Sequence, residues 1–311
     1  MKILIIGGCG YIGFALCSEL IGLGYDVKSV DLEWFNFPSK NHNYNFNIDY
    51  NNLTKEYLSE FGAIILLAGH SSAKTCEKDP LSSHYNNISN FLNLLDKLDN
   101  KHQKLIYASS SSVYGNASGY IDENFNDYQP INYYDLSKKQ IDLYAALSDV
   151  EYYGLRFGTV CGASPNWRND IMINAMYDTY KKENKIKIFN DVYRPILGMK
   201  DLISAVLTIV KNKSDKRGLY NLASFNLTAS QIGYEMARIL KCPIETITDT
   251  KTITNIKLQS SSYNFTINSN KFIETFNFKF KENITSIIKD ISVVYDDCQK
   301  SGRSEIKYYR Q

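Results

Sequence analysis

The feature that most constrains the fold is a short apolar run that leads straight into a row of glycines. Lys2 to Ile6 is mostly β-branched, and Gly7, Gly10 and Gly13 follow it at a three-residue spacing. This pattern predicts a buried parallel strand, a tight turn and the start of a helix. Gly7 would permit the turn, Gly10 would let the backbone approach a pyrophosphate, and Gly13 would let the helix pack closely on the strand. The helix N-terminus would attract the phosphate charge.

An acidic residue, Asp31, follows the glycine turn at the spacing that a dinucleotide-binding turn requires. A helix predicted over about Tyr11 to Leu23 ends at Gly24, and the strand Asp26 to Val30 then leads to Asp31. An acidic residue about twenty positions beyond the glycines binds the adenosine ribose and repels a 2′-phosphate. Asp31 therefore predicts NAD as the cofactor in preference to NADP.

A candidate proton-transfer pair lies further along, at Tyr134 and Lys138. Residues at i and i+4 share one face of a helix. A free phenol has a pKa of about 10, and a nearby ammonium favours the phenolate. Lys138 is therefore expected to lower the pKa of Tyr134. An ordinary surface helix with Tyr and Lys one turn apart is the alternative, and the glycine turn upstream argues against it.

Strand and helix patterns alternate through the first two thirds of the chain, which predicts an α/β fold with a Rossmann-type doubly wound parallel sheet. The order of helix and strand patterns changes in the later part of the chain, and from this change we expect a smaller, mixed C-terminal substrate lobe. The predicted NAD-binding domain covers 1–164 and 190–222, and the predicted substrate-binding lobe covers 165–189 and 223–311. Further strands are predicted at Asn43 to Ile48, Gly62 to Ala68, Leu105 to Ser109, Glu151 to Phe157, Ile244 to Thr248 and Asn264 to Ile267. Further helices are predicted at Thr54 to Glu60, Tyr85 to Leu98, Tyr133 to Leu147, Ile171 to Glu183, Met199 to Asn212, Ala229 to Leu240 and Ile284 to Tyr295, before a charged tail that is expected to fray.

Composition narrows the classes of partner. The 311 residues carry a net charge of only +2, which gives no reason to expect a nucleic acid or an anionic membrane surface as partner. No apolar run approaches the roughly 18 residues of a spanning helix. The six cysteines have no CxxC spacing and the four histidines are dispersed, so no metal site is expected. Reduced thiols in the cytoplasm are the expectation.

With these motifs in order, the chain resembles the extended short-chain dehydrogenases/reductases of the NAD-dependent epimerase/dehydratase kind, which act on nucleotide sugars. The resemblance covers most of the chain. Its anchors are the glycine turn, Asp31, the strand end Leu66 to His70, the serine run within Tyr107 to Gly115, the segment Tyr134 to Lys138, and Leu155 to Gly162. The resemblance implies Ser110, Tyr134 and Lys138 as the catalytic residues. It implies that the cofactor is held by Gly7, Gly10, Tyr11, Ile12, Gly13, Asp31, Asn47, Ile48, Leu67, Ala68, Gly69, Ser109, Tyr134 and Lys138.

The resemblance also implies a reaction. Tyr134 would take a proton from a sugar hydroxyl, typically at C4, while NAD accepts the hydride and Ser110 bonds the same oxygen. Return of the hydride to the other face would give a nucleotide-sugar epimerase. Release of the ketosugar would give a dehydrogenase or ketoreductase, and a non-catalytic NAD-binding regulator is the third alternative. Dehydration is not expected, because Ser111 and Ser112 stand where family dehydratases carry an Asp-Glu pair.

Substrate contacts are implied for seven residues: Ser110, Ser111, Ser112, Thr159, Arg168, Asn174 and Arg194. Arg194 resembles the arginine that grips the pyrophosphate, a task suited to guanidinium. Surface ion pairs are the alternative for both arginines. Three residues depart from the pattern of the family. Thr159 and Gly198 leave the identity of the sugar open, and Asn47 replaces an Asp that usually touches adenine.

A homodimer is the last expectation. Related enzymes commonly pair the helices that correspond to Tyr85 to Leu98 and Tyr133 to Leu147 across an intermolecular four-helix bundle. Ile88, Phe91, Leu92 and Leu95 would supply one apolar face of that bundle. Packing of these side chains on the protein's own sheet is the alternative.

Overall fold

The fold was analysed in a computed structural model, which describes residues 1–34, 45–99, 102–127, 129–189, 191–247 and 263–300. The strands among these residues are, in chain order, β1 Lys2–Ile6, β2 Asp26–Asp31, β3 Asn45–Asn47, β4 Ala63–Leu66, β5 Lys104–Ser110, β6 Ser118–Ile121, β7 Glu151–Phe157, β8 Thr159–Cys161, β9 Ile186–Ile188, β10 Tyr193–Gly198, β11 Gly218–Leu222, β12 Phe225–Thr228, β13 Ile244–Thr246 and β14 Asn264–Ile267. The helices are α1 Tyr11–Gly22, α2 Lys55–Leu58, α3 Ala73–Lys78, α4 Pro80–His84, α5 Asn90–Lys97, α6 Tyr133–Leu147, α7 Met172–Glu183, α8 Met199–Lys211, α9 Ala229–Leu240, α10 Asn270–Phe276 and α11 Ile284–Lys300.

Seven parallel strands form the central sheet, in the order β11-β7-β5-β4-β1-β2-β3. The chain winds outward from β1 in one direction and then crosses back to β4 on its other side. In open α/β sheets, ligands bind beyond the carboxyl ends of the strands where the strand order reverses. That point is between β1 and β4, next to the glycine turn.

Helices cover both faces of this sheet, each over its own apolar core. Side chains of α1, α8 and α10 pack on one face. Side chains of α5 and α6 pack on the other. Burial on both faces explains why the central strands are almost continuously apolar. The predicted doubly wound fold is confirmed. Among the described residues, no helix is both long enough and apolar enough to cross a membrane.

The smaller lobe has its own core of α7, α9 and α11 side chains. Its main sheet has the order β12-β10-β8, with β10 and β12 antiparallel and β10 and β8 parallel. Two further parallel pairs join β13 to β9 and β14 to β6. The predicted mixed lobe is therefore present. The predicted domain boundaries remain a prediction, because this sheet takes strands from both proposed domains.

Several predicted elements differ in detail from those observed. The strand predicted at Asn43 to Ile48 is Asn45–Asn47 where the structure describes it, and residues 43–44, Thr248 and the tail from 301 onward lie outside the described residues. The helix predicted from Tyr85 begins with a π-helical turn over Tyr85–Ser89. Two unpredicted short helices precede that turn, capped by Ser72 and by Asp79 ahead of Pro80. A cap residue followed by proline is a helix-start signal that the periodicity analysis missed.

A buried polar network fixes α6 to the sheet. Asp142 on α6 accepts hydrogen bonds from Arg156 Nε of β7 at 2.8 Å and from the Tyr107 hydroxyl of β5 at 3.0 Å. Arg156 Nη1 donates to the Tyr114 hydroxyl at 2.9 Å, and that hydroxyl donates to Asn221 of β11 at 2.8 Å. Arg156 is only 2% exposed. The network holds the helix that carries Tyr134 and Lys138 against three strands.

We expect Arg156→Met to lower the free energy of unfolding by about 3–5 kcal/mol, because it leaves the Asp142 carboxylate buried without its counter-charge. Urea denaturation measures this cost. Arg217→Met is the matched control: Arg217 pairs with Asp215 where both side chains are well exposed, and such a pair contributes about 1 kcal/mol or less. Equal costs for the two variants would contradict the role of the network.

Candidate active site

The glycine turn has the geometry that the spacing predicted. Gly7 has φ of +95°, which favours glycine. A Cβ at Gly13 would lie 2.1 Å from the carbonyl oxygen of Gly7, so only glycine allows α1 to pack this closely on the turn. Gly10 is the N-cap of α1 and uses no side chain to cap it. The first amides of α1 therefore face the cavity without a side chain in front of them, which fits a pyrophosphate.

Asp31 ends β2 beside this turn. Its carboxylate accepts hydrogen bonds from the backbone N–H of Cys9 at 2.9 Å and of Glu33 at 2.8 Å. Burial raises the pKa of the Asp31 carboxyl, and the bonds from Glu33 and Cys9 partly oppose that rise. The carboxylate is thus oriented at the rim of the cavity, where it can accept from ribose hydroxyls.

One cavity of about 830 Å³ runs from the glycine turn into the smaller lobe. It is large enough for a dinucleotide together with part of a second ligand. Nineteen of the predicted site residues line it: Gly7, Gly10, Tyr11, Ile12, Gly13, Asp31, Ile48, Leu67, Ala68, Gly69, Ser109, Ser110, Ser111, Ser112, Tyr134, Lys138, Thr159, Arg168 and Arg194.

Two predicted site residues do not line this cavity. Asn47 is exposed, its amide lies 3.5 Å from Glu33, and Ile48 and Asp49 face the cavity in its place. Asn174 is fully buried. Its amide oxygen accepts from the backbone N–H of Gly162 at 3.1 Å, and its amide nitrogen donates to the Gly162 carbonyl at 3.2 Å and to the Tyr11 hydroxyl at 3.3 Å. Asn174 therefore supports the cavity wall in the ligand-free protein, and its substrate contact stays a prediction.

The three predicted catalytic residues converge at the centre of the cavity. Ser110 ends β5, and its hydroxyl donates to the Ser112 hydroxyl at 2.8 Å and accepts from the Ser112 amide at 3.1 Å. Lys138 Nζ lies 5.8 Å from the centre of the Tyr134 ring and donates to the Ala108 carbonyl at 2.7 Å. The α6 helix and the end of β5 thus bring a hydroxyl, a phenol and an ammonium together.

The electrostatics differ from the sequence-based expectation. Burial raises the pKa of Tyr134 to about 12 in the ligand-free protein. The principal groups that lower it are the Ser110 hydroxyl and the charge of Arg168, whereas Lys138 was expected in that role. Burial also lowers the pKa of Lys138 to about 8, against the opposing effects of Cys76 and Asp142. At pH 7 Lys138 is still mostly charged and Tyr134 is a neutral phenol.

Two arginines line the substrate side. Arg168 makes a bidentate pair with Asp170, with Nε–Oδ1 at 2.8 Å and Nη2–Oδ2 at 2.7 Å. Arg194 on β10 donates to the backbone carbonyls of Tyr193 and Tyr263, and burial lowers its pKa. The ion-pair alternative thus holds for Arg168 in the ligand-free protein. Arg194 lines the cavity, where its guanidinium could bind an anionic ligand.

Sequence reasoning missed other parts of the wall. Trp34 packs edge-on against His70 with ring centres 5.3 Å apart, and both face the cavity beside the glycine turn. Phe189 and Tyr263 line the end in the smaller lobe. His70 closes the predicted strand end Leu66 to His70, but Trp34, Phe189 and Tyr263 belong to no local motif, so their positions depend on tertiary packing. Only the apolar character of the aromatic side chains hinted at burial.

The residues present fit a dinucleotide and a second, anionic ligand. The backbone cradle of the turn and the Asp31 carboxylate would hold the adenosine diphosphate half, and Lys138 and Tyr134 would face the reactive half. The serine run then lies against whatever molecule occupies the remaining space. Such an arrangement can move a proton at a hydroxyl held between Ser110 and Tyr134.

The chain is similar to known proteins. A model of the NAD dependent epimerase/dehydratase family matches residues 3–223. Protein CapI of Staphylococcus aureus is 29% identical over 264 residues, which are 77% of this chain and 78% of CapI. A UDP-glucose 4-epimerase of Lactobacillus helveticus is 26% identical over 270 residues, 78% of this chain and 80% of that enzyme.

A solved structure extends the likeness to the whole fold. UDP-glucuronic acid 4-epimerase from Bacillus cereus, in complex with UDP-glucuronic acid and NAD, has a TM-score of 0.77 at 20% identity over 96% of this chain and 99% of that one. The family model covers well over half of the chain and includes the glycine turn, Asp31 and the three convergent residues. The chain belongs to the NAD-dependent epimerase/dehydratase family.

Proposed function

We propose that this protein is an NAD-dependent nucleotide-sugar 4-epimerase whose substrate is a UDP-sugar. The observation that carries the proposal is the convergence of Ser110, Tyr134 and Lys138 in one cavity between the glycine turn and two arginines. The UDP-sugar is supported by the activities of relatives such as the UDP-glucose 4-epimerase. NAD follows from the family itself.

Each residue has a task in this reaction. Tyr134 as phenolate takes the proton of the C4 hydroxyl, and Ser110 donates a hydrogen bond to the same oxygen as it becomes a carbonyl. NAD, when bound, supplies a reversible hydride acceptor for C4. Lys138 keeps positive charge beside the phenolate, and Tyr134 returns the proton after the ketosugar has turned over. Arg194 would hold the diphosphate while the sugar rotates.

The serine run argues against dehydration on the same scaffold. Ser111 and Ser112 line the cavity where an acid and a base would be needed. Asp170 lines the cavity but its carboxylate is paired with Arg168, and Asp135, next to Tyr134, is fully buried and does not line the cavity. Hydroxyls at their ordinary pKa cannot replace two carboxylates.

Two measurements test the proposal. A thermal-shift screen of UDP-, GDP-, CDP- and dTDP-sugars identifies the substrate nucleotide, because a ligand of the native state raises its melting temperature. Product analysis with the stabilising sugar then separates the alternatives. An epimer formed without net NADH absorbance supports the proposal, whereas stoichiometric NADH supports a dehydrogenase and an absence of both supports a non-catalytic protein.

We expect Tyr134→Phe to lower turnover by a factor on the order of 10² to 10⁴, since a positioned acid or base contributes that much. NAD binding and the melting temperature should be retained, because only the phenolic oxygen is lost. Tyr133→Phe is the control, since its side chain is 53% exposed one residue earlier on α6. Near-normal turnover of Tyr134→Phe would mean that another group is the base.

We expect Asp31→Ala to narrow the preference for NAD over NADP. The substitution removes both the acceptor for the ribose hydroxyls and the charge that repels a 2′-phosphate. Calorimetric titration of each cofactor into the two proteins measures the ratio of the dissociation constants. Tighter binding of NADP by the unaltered protein would refute the assignment of Asp31.

A homodimer through α4 and α6 is part of the proposal, with a different apolar face from the one predicted. Ile88 and Phe91 are buried within the chain, and Phe91 lies edge-on to Tyr107 of the central sheet at 5.1 Å. Leu92 and Leu95 are only partly exposed. The exposed apolar side chains on this side of the protein are instead Leu81, Tyr85, Leu136, Leu143, Tyr144 and Leu147.

We expect the protein to be a dimer at micromolar concentration and Leu143→Glu to make it a monomer. Leu143 is 51% exposed on α6, and a carboxylate buried without a partner opposes association. Light scattering measures the mass. Tyr234→Glu on α9 is the control for adding a carboxylate at another exposed aromatic position. A monomeric unaltered protein would rule out this part of the proposal.

We also propose a cytoplasmic location. The described cysteines are all free thiols, and four of the five are buried. Free thiols are typical of a reducing compartment. A transferase that uses nucleotide sugars, as in polysaccharide biosynthesis, would then consume the product.

A further inference from the structure

Asp135 follows the proposed base directly and is completely buried. Its backbone N–H donates to the side chain of the N-cap residue Asn132 at 2.9 Å. Its carboxylate accepts from the Asn132 amide at 3.0 Å and from the backbone N–H of Ile131 at 3.3 Å. The first turn of α6, which contains Tyr134, is therefore closed by this carboxylate.

Tyr263 reaches the same carboxylate from a distant part of the chain. Its hydroxyl lies 2.6 Å from both carboxylate oxygens of Asp135 and accepts from the Asn132 amide at 3.0 Å. Hydrogen bonds to an ionised acceptor are short and are about twice as strong as neutral ones. The Tyr263 side chain thus stabilises the first turn of α6 through Asp135 and Asn132.

The other end of Tyr263 contacts the substrate side of the cavity. Its backbone carbonyl accepts from Arg194 Nη1, and Tyr263 itself lines the cavity. Asn264, the next residue, accepts from the backbone N–H of Tyr193 at 2.9 Å, which ties this segment to β10. A single residue therefore connects the proposed diphosphate contact with the first turn of α6.

We propose that Tyr263 is a positioning residue that links Arg194 to Asp135 and thereby holds Tyr134 in place beside Ser110. The inference rests on the proposed function for the roles of Arg194 and Tyr134. A displaced base is costly, because an error of about 1 Å in the position of a reacting group can reduce the rate a hundredfold. A diphosphate on Arg194 would order Tyr263 and, through it, the start of α6.

The first test needs no turnover. Hydrogen–deuterium exchange in the full chain compares Tyr263→Phe with Tyr120→Phe, whose side chain is 63% exposed on β6, the strand paired with β14 that follows Tyr263. Exchange at the amides of 135–137 should speed up by a factor on the order of 10 in Tyr263→Phe only, given the usual strength of a hydrogen bond to a charged group. Equal exchange in both variants would overturn the proposal.

Adding UDP tests the link to Arg194. UDP should slow exchange at these amides in the unaltered protein and have no such effect in Tyr263→Phe. If UDP raises the melting temperature but leaves exchange at α6 unchanged, the link is wrong. If UDP does not bind, the proposed UDP-sugar substrate is wrong, while the comparison without ligand still decides the role of Tyr263.

Kinetics separate positioning from general stability. Tyr263→Phe should lower kcat by a factor on the order of 10 to 100 and change KM little, because the carbonyl that Arg194 contacts is retained. Tyr120→Phe should retain the kcat of the unaltered protein. A kcat of Tyr263→Phe equal to that of Tyr120→Phe would overturn the proposal.

Asp135→Asn adds a readout that a purely structural role would not move. Burial is the main cause that raises the pKa of Tyr134; Ser110 and Arg168 lower it, Cys76 and the Asp135 carboxylate raise it further, and Lys138 faces the ring. Asparagine keeps the acceptor for Tyr263 and removes the charge. The rise of kcat with pH should therefore move to lower pH. An unmoved pH profile would show that Asp135 does not act on Tyr134.

Discussion

The site depends first on how closely α1 lies against the turn after β1. A Cβ at Gly7 would be 2.5 Å from the backbone nitrogen of Ala68, and one at Gly13 would be 2.1 Å from the carbonyl of Gly7. The end of β1, the residues after β4 and the start of α1 therefore meet in close backbone contact. Everything else in the cavity is placed relative to that contact, because the parallel sheet brings Asp31 and Ser110 to the same edge.

A second constraint decides how α6 faces this edge. Tyr134, Lys138 and Asp142 are spaced by four residues, so they share one face of the helix. Asp142 is bound to β5 and β7 through Tyr107 and Arg156, and this anchor sets the rotation of the helix about its axis. The two functional side chains are then directed to Ser110 by geometry alone. Buried charge in this protein thus contributes specificity of position, at a desolvation cost that the network offsets.

The sequence predicted those parts of the site that local spacing encodes. The glycine turn, Asp31 and the Tyr134–Lys138 pair each occupy a few consecutive residues, and the parallel sheet follows from the strand and helix rhythm. The direction of individual side chains and the contacts between distant residues could not be predicted from local spacing. Asn174 turned inward to bind Gly162, and Tyr263 reaches Asp135 only because β14 pairs with β6, 146 positions earlier in the register. Strands of three or four residues, such as β8 and β12, are too short to show a period.

The protonation states of Tyr134 and Lys138 in the ligand-free protein bear on how the site works. Burial raises the pKa of Tyr134 to about 12, so the ligand-free site holds a neutral phenol. Burial lowers the pKa of Lys138 to about 8, and its ammonium donates to the Ala108 carbonyl while it lies beside the Tyr134 ring. Ser110 and Arg168 lower the pKa of Tyr134, and Lys138 lies beside its ring, so the chain places all three where they can stabilise the phenolate when it forms.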